Sequence, residues 1–468
     1  MTTMNDLSTL EVKLAKLEKR YQKKLRVNPD LTRALVSFQA NKKEPGYRWY
    51  KFKEGYSSSL VNYYLDSLQI KKGKVFDPFA GSGTSLFASA TRNMRTVGIE
   101  LLPIGYEIIE VRKIIFGTNR NKIISTLEKW INEKPWKKEK EVTKLNHLNI
   151  TKGAFPKETE LGLGKYLSAS KKVKDIPTQR VLRFALLCIL ENISYTRKDG
   201  QYLRWDYRSG RRQGASTFDK GEIKEFEQAI ISKLKEIVDD VNGQDESAGK
   251  FEFIKDDLVE VIEGSCLDKT SELKTNDYDL IITSPPYCNR YDYTRTYALE
   301  LMLLGSGEQE LKDLRQTMLT CTVENREKDD LAKKFSDAVF KGANKAFDSQ
   351  EYLQEALKNL EKLKIEKVLN NGGIVRMIKN YFYELSLLIF ESARIMKKGG
   401  YFVMVNDNVR YAGIDIPVDL VLSDFAEKAG LTVKEIQVLP RGKGNSSQQM
   451  GKHGRTEVRK CVYIWQKL

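Results

Sequence analysis

The sequence predicts an α/β fold: a mostly parallel sheet with helices on its faces, interrupted by a largely helical insertion. Three observations predict it. Residues 74–116 alternate strand-like apolar runs with helical runs, a β-α-β-α rhythm that signals a parallel sheet. Two strand-like runs end abruptly in turn chemistry, at "FDPFAGSGT" (76–84) and "LIITSPPY" (280–287). Between them lies a long, polar, basic stretch of helical pattern, 111–250.

In chain order, "MTTMNDLSTLEVKLAKLEKR" reads as a charged amphipathic helix without the apolar core and cleavage site of a signal peptide, so a cytoplasmic location is expected. "YRWYKFKEGYSSSLVNYYLDSLQI" runs from a loop into a helix from about Ser58 to Leu68, with Ser57, Ser58 and Ser59 as N-cap candidates. The strand "KVFD" leads through the glycine turn to the helix "SLFASATRN". A strand ending at Glu100 and a helix to about Phe116 follow. The insertion 111–250 carries 29 Lys+Arg against 19 Asp+Glu, about +10 of the chain's +16, and ends in the linker "NGQDESAG" (242–249). Strand pattern resumes at "LVEVIEGSCL" and "DYDLIITSPPY". A second helical excursion, 305–370, is rich in Lys and Glu and expected to be exposed. The helix "FYELSLLIFESARIM", the turn "KKGG", the strand "YFVMVN", the helix "DLVLSDFAEKAG" and two final strands close the core. The expected organisation is an N-terminal helical extension (1–47), a core (48–110 and 251–468), a basic insertion (111–250) and the excursion.

Composition narrows the chemistry. No apolar run approaches the ~18–20 residues that span a membrane. Five cysteines without CxxC pairing read as free thiols, and two histidines, His147 and His453, leave no metal site or histidine base to expect. A net charge of +16 among 468 residues favours a polyanionic partner.

The first constellation is the turn at 76–84. Gly81 and Gly83 let the backbone turn tightly and approach a ligand with no Cβ in the way. The free N–H groups of the following helix favour a carboxylate or other anion. Leu86 stands where a nicotinamide fingerprint has its third glycine, and the Gly-Lys-Ser/Thr of a phosphate loop is absent. Glu100, 17 residues past Gly83, can accept hydrogen bonds from a ribose diol. Singly, the turn is equally a connection that needs glycine, and Glu100 a solvated strand end. Together they point to a nucleoside-bearing ligand at the strand carboxyl ends.

"DPFAGSGT" followed by "TSPPY" (283–287) resembles the S-adenosylmethionine-dependent amino-methyltransferases that act on exocyclic amines of DNA bases. Their signatures are D-P-F-x-G-x-G-T and [D/N/S]-P-P-[Y/F/W]. The Ser-Pro-Pro-Tyr form looks most like the cytosine-N4 enzymes, Asp- or Asn-Pro-Pro-Tyr being more typical of adenine-N6 enzymes. The tail segments "DNVRYAGIDIPVDLVLSDFAEKAGL" and "GNSSQQM" look similar to the carboxyl part of such methylases. The resemblance implies a Rossmann-like methyltransferase core with a mixed seven-stranded sheet, mostly parallel with an antiparallel C-terminal strand. It implies S-adenosyl-L-methionine, held by Asp77, Pro78, Phe79, Gly81, Gly83, Thr84 and Glu100. Tyr56, Ser57 and Ser58 of "EGYSSSLV" (54–61), and Ser265 and Cys266 of "EGSCL" (263–267), are implied as further contacts. Ser265 stands where family members often carry Asp. A helix cap and a strand-end turn remain open readings for these two segments.

An exocyclic amine is a poor nucleophile because its lone pair is delocalised into the ring. The Ser284 hydroxyl and the Pro285 carbonyl can accept its two N–H bonds, and Pro285 and Pro286 fix where those acceptors point. Tyr287 offers a face on which a base flipped from a duplex can stack. Cys288 follows Tyr287 rather than a proline, so the covalent nucleophile of cytosine-C5 enzymes is not implied. The expected activity is site-specific methylation of cytosine N4 in double-stranded DNA, with a restriction endonuclease as the cognate partner. Adenine-N6 methylation, guanine-N2 methylation of tRNA or rRNA, and a non-catalytic DNA-binding subunit are the alternatives. For DNA contact, "YTRKDGQYLRWDYRSGRR" (195–212) offers Arg197, Lys198, Tyr202, Arg204, Trp205, Arg208, Arg211 and Arg212, cations interleaved with aromatics. A solvated charged face is the other reading, against which four aromatics count. The loop "RGKGNSSQQMGKHGR" (441–455) is a further candidate or a tail loop.

Overall fold

Two short apolar runs, Val75–Phe76 and Leu280–Ile282, become adjacent parallel strands at the centre of a sheet, with Val75 beside Leu280 and Phe76 beside Ile281. Their side chains alternate between faces. Phe76 and Ile281 join the core beneath the helix Ile374–Ile395, while Val75, Leu280 and Ile282 join the one beneath the helix Ser58–Ser67. The computed structural model describes residues 4–440 and 457–468, apart from 54, 201, 215 and 246–248. The loop 441–455 and the Tyr202 side chain, both expected to touch nucleic acid, lie outside what it describes.

In chain order the strands are β1 (Leu25–Val27), β2 (Lys74–Asp77), β3 (Arg95–Glu100), β4 (Thr196–Asp199), β5 (Tyr202–Trp205), β6 (Val259–Glu263), β7 (Tyr278–Thr283), β8 (Met396–Asp407), β9 (Val409–Tyr411), β10 (Ile414–Ile416), β11 (Leu431–Val438) and β12 (Lys460–Lys467). Among the described residues one eight-stranded sheet has the order β1-β11-β12-β8-β7-β2-β3-β6. Strand β12 runs antiparallel to β11 and β8, and the other neighbours are parallel. Seven strands were expected. The eighth is β1, a three-residue strand that the N-terminal extension adds beside β11. Strands β4–β5 and β9–β10 form separate antiparallel hairpins. The expected turn "KKGG" is part of β8, where Gly399 takes φ +84° next to a shift in the β7–β8 register. No helix among the described residues is long and apolar enough to cross a membrane.

Chain order reverses between β2 and β7, since β2 leads outward to β3 and β6 while β7 begins the other half. Open parallel sheets bind ligands in the crevice at such a switch point. Both motif turns leave the sheet there.

The insertion does not stand apart. Its helices Asn121–Glu133, Lys157–Lys171, Ile176–Ile193 and Phe226–Asn242 share one apolar core with the helix Pro103–Phe116 and with Tyr47, Trp49, Tyr50 and Phe52. Asp240 ties the two together: it accepts from Gly46 N (3.0 Å), Trp49 Nε1 (2.7 Å) and the Arg48 guanidinium. Nor is 305–370 an exposed excursion. Leu331, Phe335, Tyr352, Leu353 and Leu360 are buried, because its helices pack against Ile374–Ile395 and the N-terminal helix Met4–Tyr21. Asp240→Ala leaves a buried indole N–H and a backbone N–H unpaired and leaves Arg48 to Asp245 alone, an expected cost of about 2–4 kcal/mol. In urea titrations, far-ultraviolet circular dichroism and tryptophan fluorescence are expected to shift together, reporting one cooperative unit. Early melting of the insertion alone would contradict this.

Candidate active site

Asp77 ends β2, one register step past the Phe76–Ile281 pair, and so stands beside the end of β7. Its carboxylate accepts from Thr283 Oγ1 (2.6 Å), Ser85 Oγ (2.5 Å), Tyr56 Oη (2.9 Å) and the Phe79 N–H (3.0 Å). These donors come from β7, the helix Thr84–Ala90, the segment before Ser58 and the turn itself. Burial raises the Asp77 pKa, and the four donors oppose the rise.

The glycine turn follows. Gly81 (φ +55°) and Gly83 (φ +76°) both occupy the left-handed region, and a Cβ on Gly83 would lie 2.8 Å from Ile109 Cγ1. Glu100, at the end of β3, accepts from Gly81 N (2.5 Å) and Leu102 N (2.8 Å). A Cβ on Gly105 would lie 2.7 Å from the Glu100 carboxyl carbon, so glycine there leaves room for it. Beneath the turn, the fully buried Arg112 donates to the Ser82 and Tyr47 carbonyls.

A cleft of about 770 Å³, counting its open mouth, lies over these strand ends. Asp77, Pro78, Phe79, Gly81, Thr84, Glu100, Ser265 and Cys266 line it together with Tyr56, Ser284 and Pro286. Sequence reasoning missed Phe52, Leu101, Leu102, Tyr293, Met318 and Leu319, which make its apolar walls. Ser57 and Ser58 lie off the cleft. Ser57 caps the helix Ser58–Ser67 and donates to Leu35 O (2.7 Å), while the Ser58 hydroxyl donates to Glu44. Ser265 accepts from Leu267 N (3.3 Å) and donates to Thr317 O (3.1 Å), bringing Met318 and Leu319 to the wall. Burial holds the Cys266 thiol well above its usual range.

After β7 the Ser284 hydroxyl donates to Tyr287 Oη (3.1 Å). Pro285 is buried and Pro286 faces the cleft. Tyr411 Oη donates to Cys288 O (2.7 Å), holding the loop from the β9–β10 hairpin.

The basic segment is more heterogeneous than its composition suggests. Arg197 and Arg212 are exposed, Arg211 stacks on Trp205 (3.6 Å) and Arg204 on Phe218 (4.1 Å). Arg208 is exposed but engages Asp206 through Nε (2.7 Å) and Nη2 (2.9 Å). Lys198 corrects the expectation: it is buried, 2.5 Å from Glu300 Oε1 and 2.9 Å from Tyr50 Oη, over the Tyr297 ring. Strand alternation turns it inward while its neighbour Arg197 points out. Its partners in turn meet the cleft wall, since Tyr297 stacks on Phe52 (5.2 Å).

No protein-family model matches the chain. Curated relatives do. Type II methyltransferase M.AvaI, from Nostoc sp. and from Anabaena variabilis, is 50% identical over 461 residues, spanning 96% of this chain and 92% of the relative. Type II methyltransferase M.BsoBI of Geobacillus stearothermophilus is 38% identical over 477 residues, spanning 98% of this chain and 92% of that one. The chain belongs to the Type II methyltransferases. It is therefore an enzyme of methyl transfer, and its two motif turns open into one cleft.

One property of that cleft is testable by pH. Burial pushes the Glu100 carboxyl up to about 8 against the pull of its two N–H donors. The folded state thus keeps a proton that the unfolded chain releases near the ordinary carboxylate pKa. Between those values the native state binds more protons, so this group's contribution to stability falls as pH rises. Glu100→Gln cannot ionise. The wild type is expected to lose stability relative to this variant from about pH 5 to about pH 9, read from urea midpoints. A constant difference would place the Glu100 pKa near its ordinary value.

Proposed function

We propose that this protein transfers a methyl group from S-adenosyl-L-methionine to the exocyclic N4 of cytosine in double-stranded DNA. The base is extracted from the helix, and the enzyme acts as the modification arm of a restriction-modification system. The observation that carries the reading is the convergence, over Asp77, of the glycine turn and the Ser284–Tyr287 turn on one cleft. The relatives' names as Type II methyltransferases support the reaction class, and the exposed cations of 195–212 support a polyanionic substrate.

The residues fit the cofactor's chemistry. Phe52, Leu101, Leu102, Met318 and Leu319 supply apolar walls for an adenine, Glu100 an acceptor for a ribose diol, and Gly81 a backbone that a ligand can approach closely. When bound, S-adenosyl-L-methionine supplies an electrophilic methyl group on a sulfonium. Ser284 spends its proton on Tyr287, so its oxygen lone pairs stay open to an amine N–H. The Pro285 carbonyl takes the second N–H. Holding both hydrogens turns the nitrogen lone pair out of conjugation and toward the methyl group, and the prolines set that geometry before substrate arrives. The Ser-Pro-Pro-Tyr form, which looks most like the cytosine-N4 enzymes, favours the cytosine reading over adenine N6.

The test is nucleoside mass spectrometry of plasmid DNA and of total tRNA after incubation with labelled S-adenosyl-L-methionine. N4-methylcytosine in DNA is expected; N6-methyladenine would overturn the role of Ser284, and label in RNA alone would overturn the substrate. Ser284→Ala is expected to lower turnover by roughly 10²-fold while cofactor affinity holds. Lost affinity with normal turnover would reverse the assignment.

A further inference from the structure

Arg290 lies three residues past Tyr287, in the loop that carries the proposed catalytic turn. It is arranged unlike most partly buried arginines of this chain. Arg48 meets Asp240 and Asp245, Arg315 meets Asp292, Arg394 meets Glu391, and Arg459 meets Asp419. No carboxylate among the described residues pairs with Arg290. Its Nη1 reaches the Asn370 carboxamide oxygen at 3.5 Å, and its Nε is enclosed without an acceptor. Its Nη2 is left without a hydrogen bond among the described residues, so the Nη1–Nη2 end of the guanidinium is the part that can meet the oxygens of a phosphate or carboxylate.

The backbone is as unusual as the side chain. Arg290 takes φ +67°, a region that costs an L residue about 1 kcal/mol. The turn is set by Asn289, whose N–H donates to Tyr287 O (2.7 Å) and whose carboxamide oxygen accepts from Tyr291 N (3.2 Å). Glycine would satisfy that turn without cost; here it presents a long cation. The loop is braced, by Tyr411 on Cys288 O (2.7 Å) and by Cys321 Sγ on Tyr291 O (3.4 Å). Around it, Arg295 is neutralised by Asp292 and Glu324, and Lys379 by Glu327. Exposed Arg376 meets only a carbonyl among the described residues, that of Val323. Arg290 and Arg376 are therefore cations without a carboxylate partner among the described residues.

We propose that Arg290 binds a backbone phosphate adjoining the target nucleotide. The Nη1–Nη2 end of its guanidinium engages the phosphate oxygens while Ser284 to Tyr287 hold the base. This site rests on the DNA-methylation reading. A nucleotide's phosphate is joined to its base by one sugar, so the residue that holds it belongs a few positions from the residues that hold the base. The basic hairpin β4–β5 lies in the insertion, apart in sequence, and the duplex would be gripped from both places.

Arg290→Gly tests this, because it removes the cation and relieves the backbone. Affinity for a duplex carrying the mapped methylation site is measured by fluorescence anisotropy across a salt series. The variant is expected to keep the wild-type melting temperature and cofactor affinity and to lose roughly tenfold in duplex affinity. Its salt slope should fall by about 0.9, one phosphate's worth. Arg290→Lys should restore the slope but only part of the affinity, since an ammonium lacks the fork. Independently, methylphosphonate replaces each phosphate flanking the target nucleotide in turn. One replacement is expected to weaken the wild type and leave Arg290→Gly unchanged. If the wild type methylates DNA while Arg290→Gly matches it in slope and affinity, or both proteins respond alike to every methylphosphonate, the phosphate site is overturned and the methylation reading stands. If the wild type methylates no DNA, both fall.

Discussion

The arrangement depends on one buried carboxylate. Asp77 receives four hydrogen bonds from four separate stretches of chain, those of Tyr56, Phe79, Ser85 and Thr283. Enclosing such a group is costly unless its acceptor capacity is filled, and here it is filled from every side. Filling it fixes geometry. The ligand turn leaves β2 directly after Asp77, and the Ser-Pro-Pro-Tyr turn leaves β7 directly after Thr283. The 2.6 Å bond between these two residues thus welds the start of one turn to the start of the other. The start of each turn is set by the same carboxylate.

A second buried polar contact extends this frame toward the basic segment. Lys198, on β4, is held by Glu300 and Tyr50, and the aromatic set Tyr50, Tyr297 and Phe52 ends at the cleft wall. A buried ion pair of this kind adds little net stability but strongly penalises separation of its partners. The hairpin that presents Arg197 and Arg204 is thereby kept in register with the cleft. The cations of 195–212 thus divide: Arg197 and Arg212 face solvent, while Lys198 turns inward and positions the strand that carries Arg197.

Much of the core was legible in the sequence, because the signals there are local. The β-branched and apolar run of β7, the prolines that stop it, and the glycines that need positive φ each reveal themselves within a few residues. The same holds for Ser57 as an N-cap, although the cap and the ligand contact compete for one hydroxyl, and the cap has it. What was not legible is tertiary. Nothing near Met318 and Leu319 marks them as cleft wall; they are brought there by Ser265 reaching the Thr317 carbonyl, 52 residues away. Lys198 and Arg197 look alike in composition and differ only in which side of a strand they occupy. Strand β1 is three residues long and exists because β11 offers it an edge. The 305–370 helices are rich in charge yet bury a stripe of leucines and aromatics that charge counting conceals.

The measurement that bears most directly on this account is a paired assay of Thr283→Val, reading S-adenosyl-L-methionine affinity by calorimetry and single-turnover methylation on the same preparation. Valine keeps the shape of threonine and deletes only the hydrogen bond to Asp77. The account predicts that affinity and turnover fall together, each by roughly tenfold, because one hydrogen bond of about 1.5 kcal/mol to a buried carboxylate serves both turns. A variant that binds and turns over like the wild type would contradict it, leaving the two turns as neighbours without a shared anchor.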